Sequence, residues 1–284
     1  MTLTSTELDE ITAANASGKT PVVFVHGLWL LSSSWRVWRD LFEDQGYATL
    51  APGWPDDPDT VDQAKANPDA FAGKMVNQVT EHYAEAIDAL DRAPVVIGHS
   101  FGGLIAQKLA GESKNAATVA ISPAQFQGVT ALPPKALKAA APALLRFNHT
   151  RHGVTLTWEQ FAFGWSNALS ESEGRALYEE FHVPASSVPI FQAATANFNP
   201  FAETKVVTDN QNRGPLLLIA GAEDNTVPQA VVENEYRIQQ KKVADTELAI
   251  VPNRGHSLII DSGWREVADL ALAFVDKHSS RFNR

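Results

Sequence analysis

The sequence predicts an α/β protein: a mainly parallel, doubly wound sheet with one inserted helical segment. Three observations carry that prediction. Six short runs rich in Val, Ile and Leu recur along the 284 residues, several apolar on both faces, as strands covered on two sides must be. Amphipathic stretches lie between them, and strand, helix, strand in alternation argues for parallel pairing with helices on both faces. One long region, from about residue 124 to 202, breaks the rhythm and shows no strand pattern.

The elements follow in chain order. About twenty mostly polar residues precede the first clear strand, so no leading antiparallel hairpin is expected. The strands are PVVFVHG (21–27), YATLAP (47–52), PVVIGH (94–99), AATVAIS (116–122), PLLLIAG (215–221) and TELAIVP (246–252). A helical pattern over 35–45 ends at Gly46, which suits a left-handed C-terminal cap. Further helical patterns cover 75–90, 101–110, 229–240 and 264–277. In 124–202 the helix-like pieces are cut by LPP, Pro142, Pro184, Pro189 and NPF, and eight of the fourteen Phe fall there with Trp158 and Trp165. Such a segment is either a helical subdomain packing its own small core or a lid whose aromatic inner face covers a pocket, and the two readings are compatible. The expected division is therefore a core of 1–123 and 203–284 and a helical lid of 124–202, with Trp158, Phe161 and Trp165 as candidate pocket residues.

Composition narrows the partners. A formal net charge of −10 without a long Lys/Arg cluster speaks against nucleic acid and anionic membranes. No apolar run reaches the roughly 18–20 residues that span a bilayer, and the N-terminus lacks the basic start and apolar stretch of a signal peptide, so a cytoplasmic protein is expected. The absence of cysteine excludes disulfides, thiol catalysis and Cys-ligated metals. A small-molecule substrate is the expected partner, with no cofactor and no metal; oligomeric state is open.

The chemistry centres on Gly98-His99-Ser100-Phe101-Gly102, a G-x-S-x-G pattern between an apolar strand and an amphipathic helix. A serine forced into a tight strand-to-helix turn needs small residues two before and two after it. The turn projects the hydroxyl at a helix N-terminus, where amide N–H groups favour developing negative charge. The plainer alternative is a Gly-rich turn with serine as N-cap. A serine hydroxyl attacks only when a base takes its proton. His99 adjoins Ser100 but is expected to point away across the turn. His82, His149, His152, His182 and His278 read mostly as surface residues. His256, in VPNRGHSLIID after the last strand, opens on the same sheet edge as Ser100 and is the candidate base. An imidazole in that role needs a carboxylate to fix its tautomer. LLLIAGAEDNTVP places Asp224 just past the fifth strand, with Glu223 as its neighbour and competitor. An oxyanion would need two donors, expected from the backbone N–H groups of Phe101 and of Leu28, after the His26-Gly27 turn. His26 itself is expected to be structural, and Trp29 either walls the pocket or simply packs.

Together these pieces resemble the α/β-hydrolase family, over about residues 21–126 and 215–277. The order Ser100, Asp224, His256 matches the family order of nucleophile, acid and histidine. The resemblance implies Ser100 as nucleophile, His256 as general base and then acid, Asp224 as orienting carboxylate, and Leu28 and Phe101 as oxyanion hole. HGLWLLSSSW is similar to the openings of esterases, lactonases and cofactor-free perhydrolases. Branches of this fold that attack with aspartate, the haloalkane dehalogenases and epoxide hydrolases, are disfavoured by Ser100. The loop PGWPDDPDT departs from the PDLPGHG frequent in relatives, and it is expected to border the pocket. The implied activity is hydrolysis of an ester or lactone of an apolar or aromatic small molecule. C–C bond hydrolysis or perhydrolysis on the same triad, or slow-turnover ligand binding, are the alternatives.

Overall fold

The computed structural model describes residues 3–145, 150–243 and 245–281. Its six strands are β1 (Pro21–Val25), β2 (Ala48–Leu50), β3 (Val95–His99), β4 (Ala117–Ile121), β5 (Leu216–Gly221) and β6 (Thr246–Val251). They form one sheet in the order β2-β1-β3-β4-β5-β6, and every pair is parallel. The expected sheet is thus present, and wholly rather than mainly parallel among the described residues. β1, β3, β4 and β5 are buried at every position, which is why they read as unbroken apolar runs. After β1 the chain runs outward to β2 and then returns past β1 to β3. That reversal opens a crevice at the carboxyl ends of the strands.

The helices are α1 (Ser5–Ser17), α2 (Arg36–Asp44), α3 (Val61–Ala66), α4 (Val76–Asp88), α5 (Phe101–Gly111), α6 (Pro134–Leu144), α7 (Trp158–Gly164), α8 (Glu171–Phe181), α9 (Val188–Thr195), α10 (Gln229–Gln240) and α11 (Trp264–His278). Gly46 takes φ 89° just past α2, as its place in the sequence required. The α2 side of the core is aromatic. Phe24 of β1 packs on Trp35, Trp38 and Phe42 at centroid distances of 5.0, 6.4 and 5.6 Å. Burying a side chain of Phe size contributes about 1.5–3 kcal/mol. The Trp38 indole donates to the Ile259 carbonyl at 2.9 Å, so this face also holds the chain after β6. No helix among the described residues is long and apolar enough to cross a membrane.

The polar start of the chain is a helix, which its weak apolar pattern did not announce. Thr4 and Glu7 form a capping box at its N-terminus, and Gly18 closes it in the left-handed conformation. Glu7 also accepts a bond from the His82 ring at 2.8 Å, joining α1 to α4. Burial opposes ionisation of Glu7, but the bonds from His82 and Thr4 outweigh it and leave its pKa lowered. His82, His182 and His278 are therefore buried rather than on the surface, each packed against a neighbour. His152 is exposed as expected, and His149 lies outside the described residues.

α1 also covers the margin of the sheet. In β2, Ala48 and Leu50 face β1, so Thr49 and Ala51 turn their backbone groups outward. Arg39 of α2 donates to the Thr49 carbonyl at 3.2 Å, and the Ala51 amide donates to Glu10 of α1 at 3.2 Å. Arg39 and Glu10 pair with each other at 2.7 Å.

Between β4 and β5 the described chain is helical, from α6 to α9. It holds one antiparallel bridge, Val154 with Ala185. Val183 N donates to the Trp29 carbonyl at 3.1 Å and the Trp29 indole donates to the Val154 carbonyl at 2.9 Å. The inserted segment is thereby tied to the loop after β1.

Candidate active site

The site is built where β1, β3, β5 and β6 end. Between β3 and α5 the chain turns at Ser100, which holds φ 56°, ψ −123°. For a residue with a Cβ this is a strained conformation, and it persists only where surroundings enforce it. They do so here through close backbone approach. A Cβ on Gly98 would lie 2.1 Å from the Gly102 carbonyl oxygen, and one on Gly102 would lie 2.1 Å from the Val25 carbonyl oxygen. Ser100 donates its N–H to Ile121 of β4 at 3.0 Å and accepts from the Ala124 amide at 2.9 Å, so β4 and the chain just past it fix the turn.

The carboxylate and the imidazole come from the next two strand ends. Asp224, past β5, accepts at Oδ1 from the amides of Thr226 and Val227, each at 2.8 Å. Its Oδ2 accepts from His256 Nδ1, past β6, at 2.7 Å. Both side chains are fully withdrawn from solvent. A carboxylate only accepts, so Nδ1 carries the ring proton. Nε2 is then the basic nitrogen; it is buried and without a hydrogen-bond partner among the described residues. Glu223, the competitor for the acid role, is exposed and engages through its backbone instead.

His99 turns away from Ser100, as expected. Its Nε2 donates to the His256 carbonyl at 3.0 Å, and the two rings lie 4.6 Å apart. Burial, reinforced by the nearby His256, pushes its pKa well below the ordinary value. His99 therefore remains a neutral donor that supports the His256 backbone.

The loop after β1 packs against the serine. A Cβ on Gly27 would meet Ser100 Cβ at 2.7 Å, so only glycine lets that backbone come so near. Trp29 holds φ 64°, its carbonyl and indole both bonded to the inserted segment. Among the described residues, neither the Leu28 nor the Phe101 amide donates to a protein acceptor. The 52–60 loop lies behind this turn rather than along the pocket. The Trp54 indole donates to the His26 carbonyl at 3.1 Å, and Asp57 meets His26 Nε2 at 3.2 Å. Trp54 and Asp57 line a small separate cavity with His26, Gly27 and Leu28.

Above Ser100 lies an apolar cavity of about 140 Å³. Ser100, Phe101 and Trp29 line its floor, and α6 and α9 supply walls that include Ala136, Ala140, Leu144, Ile190 and Ala193. Trp158, Phe161 and Trp165 do not line it. Phe161 stacks on Trp165 at 5.7 Å, Trp158 lies against Phe161 and Tyr178, and Trp165 meets His256 edge to face at 4.7 Å. The aromatic cluster of the inserted segment is thus packed beside the imidazole, and the cavity walls that α6 and α9 supply are aliphatic. The alanines of PKALKAAAPAL were the available signal for those walls: they are small enough to leave space, but they carry no marking of a pocket.

Comparison with known proteins follows the same outline. Residues 22–270 match the model of the alpha/beta hydrolase family. No curated protein matches the chain in sequence. Among solved structures, a monoacylglycerol lipase from Paleococcus ferrophilus is 22% identical, with a TM-score of 0.65 over 91% of this chain and 94% of that one. An extracellular alpha/beta-hydrolase from a Paenibacillus species is 18% identical, with a TM-score of 0.64 over 89% and 98%. Polyneuridine aldehyde esterase is 19% identical, with a TM-score of 0.59 over 90% and 98%. At these identities the likeness is one of fold.

Proposed function

The chain belongs to the alpha/beta hydrolase family, and from that premise we propose that it is a serine hydrolase cleaving carboxylic esters or lactones with an apolar acyl group. The observation that carries the reading is the buried His256–Asp224 pair, whose free Nε2 lies on the sheet edge where Ser100 is held in a strained turn. In the reaction, Ser100 Oγ attacks the carbonyl carbon and its proton passes to His256 Nε2. The imidazolium so formed is stabilised by Asp224. The carbonyl oxygen gains charge and is met by the Leu28 and Phe101 amides. The tetrahedral species collapses, the alkoxide leaves with the proton from Nε2, and Ser100 retains the acyl group. Water then gives a proton to Nε2 and attacks the acyl carbon; Ser100 recovers its proton as the acid departs. The aliphatic walls from α6 and α9 favour a flexible hydrocarbon chain over a charged group, with the inserted segment acting as a lid over it.

A fluorophosphonate, which phosphonylates activated serines, tests the reading directly. We expect the adduct to map to Ser100 and to be lost in His256→Ala, while Ser100→Ala lowers turnover of p-nitrophenyl butyrate by at least about 10³-fold. A folded protein with no adduct at Ser100 would overturn the assignment and favour the ligand-binding alternative.

A further inference from the structure

We infer that the carboxyl end of α7 is a positioning device for the His256–Asp224 pair, an inference that rests on the hydrolase reading above. A helix leaves its last carbonyls without partners of its own. Around the end of α7 three such carbonyls in a row are taken by the two loops that carry the acid and the histidine. Asn225 Nδ2 donates to Phe163 O at 2.9 Å, Thr226 Oγ1 to Gly164 O at 2.7 Å, and Ser257 N to Trp165 O at 3.2 Å. A fourth bond runs the other way, from Asn167 Nδ2 to Glu223 O at 2.7 Å. Residues 223, 225 and 226 flank Asp224 and residue 257 follows His256, so the bonds bracket the pair.

Side chains close the same joint. The Trp165 ring stands edge to face against His256, backed by Phe161. Gly255 fits beneath: a Cβ there would lie 3.0 Å from both Trp165 O and Asn167 Oδ1.

The two loops leave different strands and meet in the 2.7 Å His256–Asp224 bond and in the Glu223 amide donated to Arg254 O at 2.9 Å, so their relative placement decides the orientation of Nε2. Loops hold such a constellation only when a rigid element supports them. α7 touches both loops, which makes Asn167 and Asn225 positioning residues; neither lines the cavity. It also divides the inserted segment. α7 is fixed to the catalytic loops, and any opening of the cavity belongs to α6 and α9.

The test is the double substitution Asn167→Ala, Asn225→Ala in the full chain. With p-nitrophenyl butyrate, kcat is expected to fall about tenfold while KM stays within about twofold, because a misplacement well under 1 Å is enough to cost that much. In proton NMR, the His256 Nδ1 proton, far downfield while held by Asp224, should broaden or vanish. A folded double variant with kcat and this resonance both unchanged would overturn the inference, as would a change confined to KM. If the double variant does not fold, each single variant is read in the same way, with a loss of about threefold expected. The resonance depends on the His256–Asp224 bond alone. A parent protein that shows it yet neither hydrolyses the ester nor takes the fluorophosphonate sinks the hydrolase reading and leaves the positioning role to be judged by NMR.

Discussion

Ser100 owes its conformation to the absence of side chains around it. Gly98, Gly102 and Gly27 each sit where a Cβ would collide with backbone or with the serine itself. Gly102→Ala should therefore force β1 and β3 apart. We expect a loss of about 3 kcal/mol or more, seen as a lowered melting temperature or as insoluble protein, beyond the usual cost of an added methyl in a core. Near-parental stability would show that the turn is looser than its contacts imply. The same steric rule made Ser100 legible in the sequence, because a G-x-S-x-G pattern after an apolar strand has few physical readings. Asp224 and His256 were legible for a related reason: each follows a recognisable strand, and parallel strands end on one edge. What a side chain faces was not legible. Trp158, Phe161 and Trp165 were marked as apolar but turn toward His256 and one another, and His82 looked exposed because Glu7, its partner, lies 75 residues away in a segment with almost no apolar pattern.

At the scale of elements, the six strands and the core helices α2, α4, α5, α10 and α11 could be read, and α1 and the wall of the cavity could not. Five of the eleven residues of α6 are alanine, with Pro142 near its end, so hydrophobic periodicity gives it little contrast and proline suggests a break. Its composition has a use. Small side chains on α6 and α9 leave the space above Ser100 open, and enlarging one should fill it. Ala140→Leu or Ala193→Leu is expected to lower kcat/KM for a p-nitrophenyl octanoate about tenfold or more while acetate changes less than about threefold, as the loss of room for several methylenes implies. Equal effects on both esters would mean that the acyl chain lies elsewhere.

At the scale of the whole molecule, Glu7, Glu235 and Asp261 are buried acids outside the site among the described residues, and Glu235 joins two helices through side-chain amides. Glu235 of α10 accepts from Gln107 of α5 at 2.7 Å, and Gln107 accepts from Gln239 at 3.0 Å, all three fully buried. Glu235 Oε1 and Gln239 Oε1 have no partner among the described residues, so a proton on Glu235 supplies a donor that the cluster lacks. Burial, only partly offset by the Gln107 bond, raises its pKa well above the ordinary 4.5. A raised pKa means that the folded state keeps the proton after the unfolded chain has lost it. Stability from this group is thus complete below about pH 4.5 and is lost as pH rises toward the folded value, by about 1.4 kcal/mol per unit. Glu235→Gln should raise the melting temperature at pH 8 and do so less at pH 5; a gain independent of pH would show that Glu235 is not protonated in the fold.

The margin at β2 sets a limit of another kind. A parallel sheet has no internal reason to stop at six strands, since each outer strand offers the next one the same ladder. Here Arg39 and Glu10 occupy the Thr49 and Ala51 rungs with their own charged groups and then neutralise each other. Lateral growth on that side is terminated by two side chains, and the sheet's finite width becomes a property of the sequence of α1 and α2 as much as of the strands.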